Sequence, residues 1–224
     1  FICLHFEGAD PNGDNRSIEE CVEIAKSVAD ATDLPLVIMG CKNIEKDAEL
    51  FTKVSEALQG KNILVFSARE ENYKSVGASA VMAYSQKVGA ESAVDINLAK
   101  QLNVLMTQLG VAPTSIVMNA GSAAAGYGYE YVASTLDRIR AAALAQSDKQ
   151  LQMPILTPVS PETWSVKESM VSEADMPEWG SAEERGIEME ITTAAACLAG
   201  GSDAVIMRHP AAIKAISEMI EALV

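Results

Sequence analysis

Short apolar runs alternate with amphipathic stretches along the whole chain. Seven of these runs lack the apolar–polar alternation of a strand with one solvated face, and such runs are typical of strands buried on both faces of a parallel sheet. The predicted strands are Ile2–Phe6, Pro35–Met39, Ile63–Phe66, Ala93–Ile96, Ser115–Met118, Pro154–Leu156 and Ala204–Met207. Parallel strands joined by helical crossovers predict an α/β fold.

A helix is predicted after each strand. Two of them open with the capping-box pattern, Ser17 with Glu20 and Ser181 with Glu184, in which side chains satisfy free backbone N–H groups. Pro210 opens the last helix, where its missing N–H is harmless. The predicted helices after the first are Glu45–Leu58, Glu70–Lys87, a stripe from Leu98 to Leu109, Glu130–Ala145, Ser181–Leu198 and Pro210–Leu223.

Seven strand–helix units favour a closed barrel. A TIM (β/α)8 barrel has eight strands and about 250 residues, and this chain of 224 residues begins inside a predicted strand. We therefore expect a single barrel domain over residues 1–224, with the first βα unit missing from the N-terminus. A doubly wound sheet is the alternative, which the lack of a GxGxxG turn after the first strand disfavours.

One connection is unusually long. Residues 157–180 link the sixth strand to its helix and contain both tryptophans, Trp164 and Trp179, whereas βα loops usually have 2–6 residues. A short extra helix is predicted at Ser160-Pro161-Glu162. The segment is either a functional loop at the C-terminal face of the barrel or a packed excursion that covers the barrel mouth.

The amino-acid composition disfavours several classes of function. The chain has 17 Lys and Arg against 31 Asp and Glu, a net charge of −14, which argues against binding to nucleic acid or to an anionic membrane. No apolar run reaches the roughly 20 residues of a membrane helix. The four cysteines are scattered without zinc spacing, so we expect free thiols, no metal site and a cytoplasmic location.

The Gly- and Ala-rich segment after the fifth strand is a candidate binding loop. It runs from Asn119 to Gly128 and includes Gly121, Ser122, Ala123, Gly126 and Tyr127. Small residues let a large flat partner approach the backbone. The alternative is a turn that needs positive φ angles at its three glycines.

Polar groups at other strand ends allow several chemistries. Asp95 and Asn97, two apart on one predicted strand, point the same way and could hold the edge of a pterin, or they could cap the next helix. After the last strand, Arg208 could neutralise an anion. The neighbouring His209 is a metal ligand, a base or a histidine bonded to backbone. Thr157 follows the sixth strand, and Cys41 has no histidine placed to activate it.

Several segments together resemble a known family. They are Gly8–Pro11, Gly40-Cys41 with Glu45–Asp47, Glu71–Lys74, Asp95–Asn97 with Lys100–Asn103, Gly126–Tyr131, Trp179-Gly180 with Glu184–Gly186, and Arg208–Pro210. In this order and spacing the chain resembles the small (delta) subunit of the corrinoid iron–sulfur protein of the acetyl-CoA synthase/decarbonylase (CO dehydrogenase/acetyl-CoA synthase) system. The resemblance covers essentially the whole chain.

The resemblance implies a barrel paired with a large subunit that carries a [4Fe-4S] cluster and a corrinoid domain. Methyl passes from a methyltetrahydropterin, via cobalt, to acetyl-CoA synthase in the reductive acetyl-CoA pathway. This chain would be a non-catalytic cap and scaffold for the corrinoid and a docking surface for the methyltransferase. The corrinoid-binding residues expected on this basis are Asn119, Gly121, Ser122, Ala123, Gly126, Tyr127, Gly128, Asp95, Asn97, Thr157, Arg208 and His209.

Two other functions stay open at this point. One is a pterin-binding methyltransferase barrel that uses Asp95 and Asn97. The other is an unrelated barrel lyase or aldolase, although no lysine ends a predicted strand to form a Schiff base. For the interface with a partner, the candidate anchors are Trp164, Trp179, Tyr127, Tyr129 and Arg208, because aromatic and arginine side chains dominate binding energy at interfaces.

Overall fold

The computed structural model describes residues 1–223 and has the expected α/β architecture with parallel strands. The strands are β1 Ile2–His5, β2 Leu36–Met39, β3 Leu64–Ala68, β4 Lys87–Glu91, β5 Ile116–Asn119, β6 Leu156–Pro158 and β7 Ala204–Ile206. Strands β1 to β5 pair in sequence order, and β6 pairs with β7, all in parallel. Six of the seven predicted strands overlap the observed ones.

The fourth predicted strand is wrong. Ala93 and Val94 form a turn with positive φ at both residues, and Ile96 already begins a helix. The strand lies earlier, at Lys87–Glu91. A glycine normally weakens a strand, which hides this one in the sequence. Here the glycine is required, because a Cβ on Gly89 would lie 2.5 Å from the Phe66 ring. The third predicted helix, Glu70–Lys87, is correspondingly too long.

The helices follow the predicted order. They are α1 Ile18–Ala31, α2 Ile44–Ala57, α3 Tyr73–Val76 with a π-helical continuation over Gly77–Ala83, α4 Ile96–Leu109, α5 Tyr129–Ala145, α6 Ser160–Thr163, α7 Lys167–Met170, α8 Ala182–Gly200 and α9 Pro210–Leu223. Short 3-10 turns lie at Glu7–Ala9, Pro113–Ser115, Lys149–Leu151 and Pro177–Trp179. The capping box at Ser17 is reciprocal as predicted, and the Ser181 hydroxyl accepts from the Glu184 N–H. The short helix expected at Ser160 is present as α6.

The chain divides into two compact units. The first comprises Phe1–Ser92, Asn97–Asn119 and Lys149–Met153. Strand β2 is buried along its whole length, and Phe51, Phe66 and Leu102 are among its largest fully buried side chains. The buried Asn103 amide donates to the Gln150 carbonyl over 2.7 Å, which ties the segment 149–153 to α4.

The second unit comprises Ala93–Ile96, Ala120–Asp148 and Pro154–Val224, of which the last residue lies outside the described part. Its core contains Val159, Ala194, Cys197 and Ile216. Asp203 accepts from the Ile155 N–H at 2.7 Å and pairs with Arg140, so the starts of β6 and β7 are fixed to α5. Across residues 1–223, no helix has the length and apolar character that a membrane crossing needs.

Candidate functional site

A polar network joins the carboxyl ends of three neighbouring strands in the first unit. Glu91 ends β4 and lies opposite Asn119, which ends β5. The Ser67 hydroxyl of β3 donates to Glu91 Oε2 at 2.7 Å and accepts from the Asn119 amide at 3.1 Å. Arg69 completes the network with a 2.9 Å ion pair to Glu91 Oε1. Asn119 is thus placed at a strand end, as predicted.

This network is satisfied from within. Both carboxylate oxygens of Glu91 are engaged by groups of the same unit, Oε2 by the Ser67 hydroxyl and Oε1 by Arg69. The arrangement therefore fixes three strand ends relative to one another. Glu91 is not among the predicted site residues, because the predicted strand Ala93–Ile96 lies wholly after the observed strand Lys87–Glu91. The correct placement of β4 is the signal that would have identified Glu91.

A buried carboxylate lies at the end of β2. Asp47, in the first turn of α2, accepts the Cys41 N–H at 2.7 Å and the Cys41 thiol at 3.3 Å. Burial raises the pKa of Asp47 and raises the pKa of Cys41 to about 11. A thiol nucleophile needs a lowered pKa, so the geometry disfavours Cys41 as a nucleophile and gives it the role of a hydrogen-bond donor.

The loop 120–128 of the second unit combines packed and open positions. All three glycines have positive φ, +92° at Gly121, +82° at Gly126 and +91° at Gly128, as the turn interpretation predicts. A Cβ on Gly121 would lie 2.8 Å from Val94, whereas nothing lies within 4 Å of a Cβ on Gly126. The Ala125 N–H donates to Thr193 over 3.0 Å. The loop is therefore anchored at Gly121 and Ala125, just before the open position at Gly126.

Two polar groups mark the edges of this loop. The Ser122 hydroxyl is buried, with no hydrogen-bond partner within residues 1–223. The hydroxyl of the exposed Tyr127 donates to Glu168 Oε2 over 2.6 Å. That bond raises the pKa of Tyr127 and lowers the pKa of Glu168, because it stabilises the neutral phenol and the ionised carboxylate. Ala123, between these two groups, is half-buried.

Asp95 and Asn97 do not lie on one strand, so the prediction that they share a strand is wrong. Asp95 lies in the turn before α4, and Asn97 is the second residue of that helix. The turn arises because Val94 has a positive φ and donates its N–H to the Ala120 carbonyl at 2.9 Å. Thr157 is fully buried in β6, with its hydroxyl 2.6 Å from that of Ser202.

An aromatic and charged cluster surrounds Trp164. The Arg208 guanidinium lies 4.7 Å from the centroid of the Trp164 ring, and the His209 ring stacks on it at 5.7 Å and 25°. His209 Nε2 lies 3.1 Å from Glu183, an acidic partner that sequence analysis did not identify. His209 Nδ1 accepts from the Ala211 N–H at 3.2 Å, which agrees with a histidine bonded to backbone.

The fully buried Glu190 positions this cluster. Its two carboxylate oxygens accept the backbone N–H groups of Arg208 and His209, at 2.8 and 3.1 Å. Gly186, one turn earlier on α8, packs against Trp164, and a Cβ there would lie 2.3 Å from the indole ring. A single glutamate inside a helix gives no sequence signal of such a role, and Glu190 is not among the predicted site residues.

The long connection is held to α8 by one arginine. Arg185 donates from Nε to the Glu168 carbonyl at 2.6 Å, from Nη1 to the Gly180 carbonyl and from Nη2 to the Val171 carbonyl. Its guanidinium carbon also lies 5.7 Å from the centroid of the Trp179 ring, and Lys167 lies 5.1 Å from the same ring. Residues 167–180 are therefore an ordered excursion.

The expected site residues fall into both units. Asn97 and Asn119 belong to the first unit, and the other ten belong to the second.

Residues 1–223 contain no group of three His, Cys, Asp or Glu side chains that could hold a metal ion. The four cysteines are free thiols.

A solved structure with a similar fold identifies the architecture. DHPS from Yersinia pestis, in a complex with a pterine–sulfa conjugate, matches with a TM-score of 0.65 over 96% of this chain and 80% of the other, at 14% identity. At this identity the likeness shows the fold alone. It confirms the prediction of the TIM-barrel class of α/β folds.

Sequence comparisons identify the family. Residues 1–220 match the family model described as CO dehydrogenase/acetyl-CoA synthase delta subunit. Similar proteins named acetyl-CoA decarbonylase/synthase complex subunit delta occur in Archaeoglobus fulgidus, 31% identical over 99% of this chain and 50% of the relative, and in Methanopyrus kandleri, 31% identical over 98% and 54%. Subunit delta 2 of Methanosarcina acetivorans is 30% identical over 99% of this chain and 51% of the relative. The chain spans about half the length of these relatives, and it belongs to the CO dehydrogenase/acetyl-CoA synthase delta subunit family.

Proposed function

We propose that this chain caps and scaffolds the corrinoid of a corrinoid iron–sulfur protein. In this proposal a large subunit holds the corrinoid and the [4Fe-4S] cluster, and this chain also helps to dock the methyltransferase. The complex would pass methyl from a methyltetrahydropterin to acetyl-CoA synthase in the cytoplasm, in the reductive acetyl-CoA pathway. The observation that carries the proposal is the loop 120–128, with its open position at Gly126 beside the exposed Tyr127.

The residues of this loop fit a corrinoid. A corrin ring is large and flat, with amide groups around its edge, so its partner needs an open small-residue surface and hydrogen-bonding groups beside it. Gly126 leaves space for the ring, and the buried Ser122 hydroxyl is available for an edge amide. The corrinoid would supply cobalt as the methyl carrier. The chain would supply a surface that orients the ring and excludes water from it.

The chemistry of the cysteines supports placing the iron–sulfur cluster in the partner. Cluster ligands are thiolates. Burial raises the pKa of Cys3 to about 12 and those of Cys41 and Cys197 to about 11, and it also raises that of Cys21. The folded chain therefore favours the neutral thiol at each cysteine.

The polar groups at the strand ends support a scaffold over an enzyme. The pterin-binding alternative requires Asp95 and Asn97 on one strand, and α4 already begins at Ile96. The carboxylate at the end of β4, Glu91, is bound by Arg69 and Ser67. These groups rigidify the unit and leave methyl transfer to the cobalt of the partner.

The test is an anaerobic co-purification. The complete protein is co-expressed with the large-subunit candidate in a corrinoid-producing host, and the gel and visible spectrum are recorded. A 1:1 complex with corrinoid and iron–sulfur absorption is expected. A colourless protein without a partner would refute the proposal.

A matched pair of variants tests the loop itself. Gly126 and Gly60 both have positive φ and open space at the Cβ position, so Gly126→Phe and Gly60→Phe carry the same backbone strain. Gly126→Phe is expected to lower the corrinoid content of the complex severalfold, whereas Gly60→Phe leaves it unchanged. Equal corrinoid content in the two variants would remove the loop from the corrinoid site.

A further inference from the structure

An asparagine–glycine pair lies exposed in the connection between β1 and α1. Asn12 and Gly13 are both exposed, and Asn12 is the one asparagine of the sequence that a glycine follows. Among residues 1–223, a Cβ at Gly13 would have one atom of a non-neighbouring residue within 4 Å, the Asp10 carbonyl oxygen at 3.7 Å. Gly13 therefore lies in open space, and no side chain of its own blocks access to its backbone nitrogen.

Such a pair can lose ammonia without an enzyme, and asparagine is among the thermally labile residues of proteins. The backbone nitrogen of Gly13 attacks Cγ of Asn12, a new C–N bond closes a five-membered succinimide ring, and the bond from Cγ to Nδ2 breaks. The side-chain nitrogen leaves as ammonia and takes the proton that the Gly13 nitrogen gives up. One water molecule then opens the ring at either carbonyl, which gives aspartate or isoaspartate.

Asp10 binds both reacting groups in the folded chain. Its carbonyl oxygen accepts the Gly13 N–H at 3.0 Å. Its carboxylate oxygen Oδ1 accepts the Asn12 backbone N–H at 2.9 Å and the Asn12 side-chain Nδ2 at 3.2 Å. An aspartate that bonds the backbone two residues later forms an Asx-turn. The attacking nitrogen and the leaving amide group are thus each bonded to a different oxygen of one residue.

These bonds and the charge of Asp10 both oppose ring closure. The Gly13 nitrogen must leave the Asp10 carbonyl before it can reach Cγ of Asn12. It must also lose its proton, and the negative charge that develops lies close to the Asp10 carboxylate. A like charge disfavours the ionised form of a neighbouring group. The reaction rate therefore depends on how often this turn opens locally.

We propose that Asn12 is a modification site that deamidates spontaneously, and that Asp10 sets the rate by holding the turn closed. Conversion replaces an amide that donates to Asp10 by a second carboxylate, so the turn loses a bond and gains a like-charge repulsion. The isoaspartate product also lengthens the backbone by one carbon. The same turn is bonded to α2, because Lys46 Nζ donates to Asn15 Oδ1 at 3.1 Å, so we expect deamidation to loosen that link. The inference goes beyond the proposed function and does not rest on it.

The experiment incubates the complete protein at mildly alkaline pH, where the Gly13 nitrogen loses its proton more readily, and follows Asn12 by peptide mapping with mass spectrometry. Asn62 is the internal control, because it is also exposed but precedes the buried Ile63, whose N–H donates to Gln86 at 2.8 Å. Asn12 is expected to convert to aspartate and isoaspartate while Asn62 stays an amide. Gly13→Ala should slow the conversion severalfold. If Asn12 converts no faster than Asn62, the site is overturned.

A pair of variants tests the role of Asp10. Asp10→Ala removes the acceptor and the charge, and it should speed conversion of Asn12 severalfold. Asp10→Asn keeps an acceptor oxygen and should speed conversion less. The amide that it introduces precedes Pro11, which has no N–H to attack it. Asp33→Ala, at an exposed position after α1, is the control and should leave the rate unchanged. Equal rates in Asp10→Ala and the unmodified protein would overturn the role of Asp10.

The same comparison in urea separates the folded turn from the local sequence. Unfolding breaks the bonds from Gly13 and Asn12 to Asp10, so the unmodified protein should convert faster in urea than when folded. The difference between Asp10→Ala and the unmodified protein should then shrink. A difference as large in urea as in the folded protein would overturn the proposal that the turn itself protects Asn12.

Discussion

The carboxylate of Asp47 occupies the space beside Gly40 in which a side chain would stand. A Cβ built on Gly40 would lie 2.3 Å from Asp47 Oδ1 and 2.4 Å from Cγ. Real Cβ atoms do not approach other heavy atoms so closely, so the absence of a side chain at Gly40 is what lets the carboxylate reach the Cys41 N–H. The end of β2 and the first turn of α2 are thereby connected through one buried group.

Gly40→Ala is therefore expected to destabilise the complete protein. The methyl group must push the carboxylate away from Cys41, and such overpacking costs about 1–3 kcal/mol. Gly13→Ala is the control, because its Cβ would lie 3.7 Å from the nearest atom, at an ordinary contact distance. Urea unfolding measures both. Equal free energies of unfolding for the two variants would contradict the assigned packing.

The same carboxylate predicts a pH dependence of stability. Burial raises the pKa of Asp47 in the folded chain above the ordinary value of about 3.9. Between these two pKa values the folded chain binds more protons than the unfolded chain, so this group makes stability fall as pH rises through the window. Asp47→Asn should remove that part of the slope, whereas Asp30→Asn, at an exposed position, should retain it. Unfolding midpoints at a series of pH values above about 4 measure the difference, and identical slopes would contradict the prediction.

The sequence predicts those features of this fold that arise from local chemistry. The capping box at Ser17 and the buried strand β2 need only neighbouring residues. Strand β4 was misplaced because Gly89 is explained by the ring of Phe66, which is remote in the sequence. For the same reason the sequence does not predict Glu91 at a strand end.

The cluster around Trp164 shows the same limit for the candidate site. Arg208 and His209 were identified from their position after the last strand. Their contacts with Trp164 and Glu190 join residues 18 to 45 positions apart, and no spacing rule covers such pairs. Burial of a lone glutamate inside a helix is decided by the tertiary packing that brings two N–H groups to it.

Arg185→Lys is expected to loosen the long excursion without unfolding the chain. An ammonium group replaces a planar guanidinium that donates to three separate carbonyls, and it cannot reproduce that fork. Backbone hydrogen exchange across residues 167–180 should become at least severalfold faster than in the unmodified protein. Arg138→Lys, at an exposed position of α5, is the control. Unchanged protection of the excursion in Arg185→Lys would show that other contacts hold it.

Gly186→Ala reverses the usual effect of alanine in a helix. Replacing a glycine in a helix interior by alanine normally stabilises it by about 1 kcal/mol. Here the new methyl group would lie 2.3 Å from the Trp164 ring, so we expect a loss of stability and a shift in Trp164 fluorescence, recorded in a Trp179→Phe background. Gly200→Ala, whose nearest atoms lie at 3.4 and 3.6 Å, should not move the fluorescence. A stabilised Gly186→Ala protein with unchanged emission would contradict the packing.

Glu190→Gln tests whether one buried carboxylate positions the segment after β7. The carboxylate accepts two backbone N–H groups, from Arg208 and His209, whereas an amide offers one oxygen and places its own N–H₂ group against the second donor. A buried donor without a partner costs about 1–3 kcal/mol, so the free energy of unfolding should fall by about that amount. The amide protons of Arg208 and His209 should also exchange faster. Glu188→Gln, exposed on the same helix, should change neither quantity. If the two variants lose equal stability, the buried carboxylate does not hold this segment, and the stacking of Arg208 and His209 on Trp164 must depend on the aromatic contacts alone.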